Sequence, residues 1–163
     1  MTPLDLIRDE LRRSLHGTAW HGPALLEALD DVSPAEAMLR PLPGVHPIAE
    51  LALHALAWIE EVTRRVAGAD NDEPARGDWP AVPTLDSAIW TGIKEDIAGA
   101  GATLDSLLST LPPARLDDLA RRVGGELPPD PIDYATMLHG LAQHNAYHGG
   151  QVSMLKRALR QPS

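Results

Sequence analysis

Between Asp130 and Ser163, the apolar residues Tyr134, Met137, Leu141, Val152, Leu155 and Leu159 recur at the period of an α-helix and fall on one stripe. No other stretch constrains the fold as tightly, because His144 and His148 lie inside that stripe. The two are one helical turn apart, so both imidazoles point toward whatever the stripe packs on. Asp130 reads as the N-cap of this last helix and Pro131 as its first residue. Lys156, Arg157 and Arg160 lie off the stripe near the C-terminal end, where cations suit the helix dipole. Polar rings turned toward an apolar interior must find partners. One account makes each a core histidine bonded to a neighbouring helix. The other brings two nitrogens at i and i+4 onto one metal ion. A third ligand on another helix separates the two.

The remaining chain supplies helices for that stripe to pack on. Pro3 to Leu15 carries Leu4, Ile7, Leu11 and Leu15 on one face, with Thr2 placed to cap and His16-Gly17 to terminate. Pro23 can open a short helix holding Leu25, Leu26 and Leu29, and Ser33-Pro34-Ala35-Glu36 is a capping-box start for another. A second long helix is expected from Pro47 to Ala67, closed by Gly68, and its apolar girth is broad enough to need several neighbours. After a polar loop over 69–83, long enough to carry part of a site, Thr84 is placed to cap a third long helix. Its expected core stripe is Leu85, Ile89, Ile93, Ile97, Ala100, Leu104, Leu107 and Leu111, stopped by Pro112-Pro113. A short helix over 114–123 and a loop over 124–129 lead to the last helix. The expectation is an all-α four-helix bundle with extra short helices, forming a single domain over residues 1–163.

Composition agrees with that class. The 163 residues can bury a full core, and with no Phe and 4% aromatic residues that core must be Leu, Ala, Ile and Val. A net charge of −9 without a basic run excludes the phosphate neutralisation that nucleic-acid binding needs. The absence of cysteine removes disulfides, thiolate metal ligands and a protein thiol nucleophile. With neither a signal peptide nor a long apolar run in view, a soluble, cytoplasmic chain without membrane contact is expected.

His54, central in the second long helix, is the natural third partner of His144 and His148; alone it would read as a core histidine. Glu50 and Trp58 lie one turn to either side of it. Val45-His-Pro-Ile-Ala-Glu-Leu-Ala-Leu-His54-Ala-Leu-Ala-Trp58, followed by Gly140-Leu-Ala-Gln-His144-Asn-Ala-Tyr-His148-Gly-Gly-Gln151, resembles the DinB-like superfamily over nearly the whole chain. The resemblance implies a DinB/YfiT-like bundle of up-down-down-up connectivity, often homodimeric, with His54, His144 and His148 as ligands of a divalent metal. It also implies an activity class, since some members are metal-dependent transferases or isomerases using low-molecular-weight thiols. His46 departs from the Ser helix cap that relatives often carry.

Three neutral imidazoles suit zinc or nickel, with manganese or iron also compatible, and leave positions for water or a small-molecule substrate. Such an ion lowers the pKa of a bound water or thiol, which suits a thiol-dependent transferase or a hydrolase. The alternative is a noncatalytic, stress-related bundle that binds a metal or small ligand. Glu50 is the candidate catalytic base or partner of a ligand; it reads equally as a first-turn surface carboxylate. Asn145 and Gln151 border the histidine stripe and can orient ligands, whereas Tyr147 is turned toward packing. His139 is expected in solvent, His46 at the helix start, and His16 and His21 in turns.

Overall fold

The computed structural model describes residues 1–70, 73–121 and 124–161. Six α-helices follow one another: α1 (Pro3–Leu15), α2 (Leu25–Leu29), α3 (Pro34–Met38), α4 (Ile48–Val66), α5 (Ser87–Thr110) and α6 (Tyr134–Arg160), with a 3₁₀ turn at Pro113–Asp117. Among the described residues there is no strand, only isolated bridges at Ala19–Gly22 and Leu119–Asp133. No helix there is long and apolar enough to cross a membrane.

Side-chain contacts fix the direction of each long helix. Glu10 meets His139 and Ser14 meets Asn145, so α1 and α6 run parallel. The hydroxyl of Tyr134 donates to the Arg65 carbonyl while His144 meets His54, so α4 opposes α6. Arg8 pairs with Asp105 and Leu15 packs on Gly101, so α5 opposes α1. In the order α1-α6-α4-α5 the helices close a ring, and the result is up-down-down-up. The parallel neighbours α4 and α5 can be joined only by a segment that travels back along the bundle, and 67–86 does so. α4 alone is ~28 Å long at ~1.5 Å per residue. This return path carries the loop past His54.

Thr2 and Ser33 cap α1 and α3 through capping boxes, as their sequences predict. Pro47 is the N-cap of α4 rather than its first residue, and Pro23 lies ahead of α2. The cap of α5 is Asp86, not Thr84: its carboxylate accepts the Ile89 N–H at 2.8 Å, and Asp is the stronger cap. Leu85 therefore precedes the helix, Ile89 is exposed, and Trp90 is the buried residue of the first turn, donating to the Val32 carbonyl at 2.7 Å. α6 starts at Asp133 and Tyr134, not at Asp130 and Pro131. The cause is a short pairing in which Ala120 N–H donates to the Ile132 carbonyl and Tyr134 N–H to that of Asp118, holding 132–133 extended. The same pairing replaces the helix expected over 114–123 beyond Asp117; its end at Val123 lies outside the described residues, as do Asn71 and Asp72 of the 69–83 loop and Ser163.

The core is one cluster running through all six helices, with Ile48, Leu56, Ile59, Ile97, Leu104 and Leu138 fully enclosed. The broad apolar girth of α4 is covered within the chain, so it creates no demand for a second copy.

Candidate metal centre

His54 projects from α4, and His144 and His148 from α6, into the same point of the bundle. The Nε2 atoms of His54 and His148 lie 2.9 Å and 3.0 Å from Nε2 of His144. His54 and His148 are buried and His144 is half-buried. The three residues foreseen as ligands are thus brought together as one group able to hold an ion.

The outward nitrogens decide what the inward ones can do. Nδ1 of His54 is 2.5 Å from the main-chain oxygen of Asp78, which only accepts, so Nδ1 carries the proton and Nε2 presents a lone pair. Nδ1 of His148 likewise donates to the side-chain oxygen of Gln151 at 2.6 Å. Asp78 is held in turn by Trp58, whose Nε1 donates to its carboxylate at 2.7 Å. Lone pairs facing one another at these separations repel unless a proton or a cation lies between them. Burial, reinforced by the neighbouring His148 and His54, pushes the His144 imidazole down to about 4. Burial also lowers His148, against the upward pull of its Gln151 bond. An imidazolium is therefore disfavoured at neutral pH, and a neutral His144 can donate from Nε2 to only one of its two neighbours at a time. A cation fits: metal–nitrogen bonds of about 2.0–2.1 Å at right-angled to tetrahedral spacing place nitrogens about 2.9–3.4 Å apart. Nδ1 of His144 is buried without a hydrogen-bond partner among the described residues, a cost of about 1–3 kcal/mol that a metal bond at Nε2 can offset.

One side of the group opens on a cleft of about 520 Å³ lined by His46, Leu51, Trp79, Tyr147, His148 and Met154, among others. Trp79 lies flat between two imidazoles, 3.6 Å from the His46 centroid and 4.0 Å from that of His54. A groove of similar size between α4 and α5, beside Glu60, Arg76 and Asp96, lies away from the histidines.

Glu50 is placed one turn before His54, with one oxygen against the Arg40 guanidinium and the other 2.6 Å from Nδ1 of His46. His46, read from the sequence chiefly as a residue of the helix start and alternatively as a pocket residue, forms part of the cleft wall. Tyr147 is not packed as expected: it is exposed, edge-on to His148, and lines the cleft. Asn145 faces α1 and donates to the Ser14 hydroxyl, so Gln151 alone of the bordering amides holds a ligand histidine. His139 pairs with Glu10 at the surface. Asp78 and Trp79 were missed; an Asp-Trp pair inside an otherwise polar loop is the one signal that points to them.

A bundle of this connectivity, with three histidines of two helices converging beside an open cleft, defines a class of helical metal-site proteins. Residues 18–152 match the profile of the DinB superfamily, and the chain belongs to that superfamily. Among solved structures it is similar to one described as the conserved protein of locus from Enterococcus faecalis. The identity is 18%, 97% of each chain is covered and the TM-score is 0.63, a likeness of fold. No curated protein matches the sequence significantly.

Proposed function

We propose that this protein is a metal-dependent transferase acting with a low-molecular-weight thiol, with zinc or nickel held by His54, His144 and His148. The observation that carries the reading is the convergence of three Nε2 atoms beside a cleft with room for a small molecule. When bound, a divalent ion supplies Lewis acidity that favours the thiolate over the thiol near neutral pH. The chain's own residues do the rest. Asp78 and Gln151 lock the tautomers of His54 and His148. Glu50 accepts the Nδ1–H of His46, leaving Nε2 of that ring free as a proton acceptor on the cleft wall. His46 takes the thiol proton, sulfur attacks the electrophilic carbon, and the leaving group departs with the bonding electrons. Glu50 is thus a positioning residue for the base, anchored by Arg40.

Hydrolysis is the near alternative, with water in place of the thiol at the same groups. The open cleft beside His148 favours either reaction over a noncatalytic binding bundle. Metal-loaded protein is assayed with thiols plus electrophiles, and separately with esters and amides, each against His148→Ala. Thiol-dependent turnover lost in the variant is expected; equal turnover in both would remove the metal from the chemistry. Glu50→Gln should leave metal content unchanged, lower kcat about 10- to 100-fold and alter the acid limb of the pH profile. Unchanged kcat and profile would strike Glu50 from the scheme.

A further inference from the structure

The cleft beside His148 has a composition that selects its occupant. Its wall is mostly apolar, built from Leu42, Val45, Leu51, Trp79, Met154 and Leu155, with His148 and Gln151 among its few polar residues. No Lys, Arg, Asp or Glu is among its lining residues. Beside it Arg40 and Glu50 neutralise each other, and the Asp78 carboxylate, 3.4 Å from Nδ1 of His54, adds negative charge near His148. The chain as a whole carries −9, which further disfavours an anionic ligand. Leu42, Tyr147 and Met154 are exposed around the rim, Met154 at 65%, so the apolar surface is open to a small molecule. From His148 to Met154, α6 advances six residues, ~9 Å at ~1.5 Å each.

We infer that this cleft binds the uncharged, apolar body of a substrate, about six carbons long, and presents its reacting end to the histidine group. The site selects against a second charged group at the far end, because no lining cation is there to meet a carboxylate or phosphate and the apolar wall offers it no hydrogen-bond donor in place of water. The inference deepens the transferase reading by naming the class of its electrophile, but the cleft itself needs no metal to take an apolar chain.

The test is an NMR titration of metal-free protein carrying methyl-labelled methionine, with straight-chain alcohols from ethanol to octanol. The Met154 methyl should shift, with Met1 and Met38 as internal controls because neither lines the cleft. Affinity should rise about two- to fourfold per added methylene and level off near hexanol. 6-Hydroxyhexanoate should bind at least tenfold more weakly than hexanol. Hexanol binding, followed at the Gln151 amide, should fall at least fivefold in Met154→Glu and in Leu42→Glu on the opposite rim. No dependence on chain length, equal binding of the carboxylate, or equal shifts at Met38 and Met154 would overturn the inference. So would a dimer that occupies the cleft and dissociates in Met154→Glu. Repeating the series with alkanethiols on zinc-loaded and nickel-loaded protein separates the two readings: failure of both ions to bind sinks the transferase proposal and leaves the alcohol series standing.

Discussion

The orientation of His54 is set by a main-chain oxygen: the Asp78 carbonyl fixes its proton on Nδ1, and the Trp58 indole fixes Asp78. Replacing His54, His144 or His148 by Ala should therefore each remove bound metal, while His139→Ala, a surface change, should not. Elemental analysis of untagged protein checks this, and a His54→Ala variant with full metal would remove that residue from the group. Trp58→Phe keeps the ring but releases Asp78, and should weaken metal affinity about 10-fold, read by competition with a chelating dye. The pH dependence follows from burial. The folded His144 sits near 4 and His148 below its ordinary value, so protonation is penalised in the folded state. In metal-free protein their contribution is complete above about 6.5 and is lost as pH falls from there toward about 4. His144→Leu should lose less thermal stability than wild type between pH 7 and pH 4.5. Equal losses would show that this imidazole is not held neutral by its surroundings. His144 and His148 were legible in the sequence because helical spacing aligns them, and His54 because it is central in its helix and lies in the motif that resembles the family. Asp78 and Trp79 were not, since they reach the site through a loop whose path only the assembled bundle sets.

At the scale of the element, glycines of α6 have opposite roles. A Cβ on Gly149 would lie 3.6 Å from the Leu25 Cα and from the Pro23 carbonyl, in van der Waals contact, so a methyl fits there but any larger side chain meets the α2 backbone. Gly150, on the exposed side, has nothing within 4 Å. Gly149→Val, whose branches would enter the α2 backbone, should cost about 1–3 kcal/mol. Gly150→Ala should stabilise by about 0.5–1 kcal/mol through helix propensity. Urea unfolding of both decides, and a neutral Gly149→Val would mean that α2 moves aside freely. The far end of α6 is clamped by Arg160, which pairs with Asp31 and Glu36; Lys156 and then Arg160 lower the Asp31 carboxyl to about 2, and Arg160 with the Ser33 cap lowers that of Glu36 to about 2. Helix existence and the Thr2 and Ser33 caps were legible because they are local, encoded within four residues. The starts of α5 and α6 were not. At α5 two candidate caps compete within three residues, and at α6 a pairing with residues 118–120 decides, a contact no periodicity announces.

For the whole molecule, the decisive fact is that the crossover 67–86 is tied to α4 at two levels. Arg76 pairs with Glu60 at 2.6 Å, and Asp78 bridges Trp58 and His54. Up-down-down-up connectivity forces such a crossover; the sequence signalled it only as a long polar loop, because directionality is a property of packed helices and not of any one stretch. The core of Leu, Ile, Val and Ala is continuous without the histidines, so metal removal should leave the bundle helical, unlike small domains that fold only around their ion. What metal adds is linkage: at a free concentration 100-fold above Kd, it stabilises the folded state by about 2.7 kcal/mol, which for a domain of this size is a rise in Tm of roughly 5–10 °C. Circular dichroism melts with zinc and then with a chelator should show that shift reversing, with helical content unchanged at 25 °C. His144→Ala should show little or no shift. Trp58→Phe should fall between, because its histidines remain but the crossover no longer holds His54 in register. A chelator that abolished helicity would make the metal a structural element of the fold, and an equal shift in His144→Ala would place the ion elsewhere.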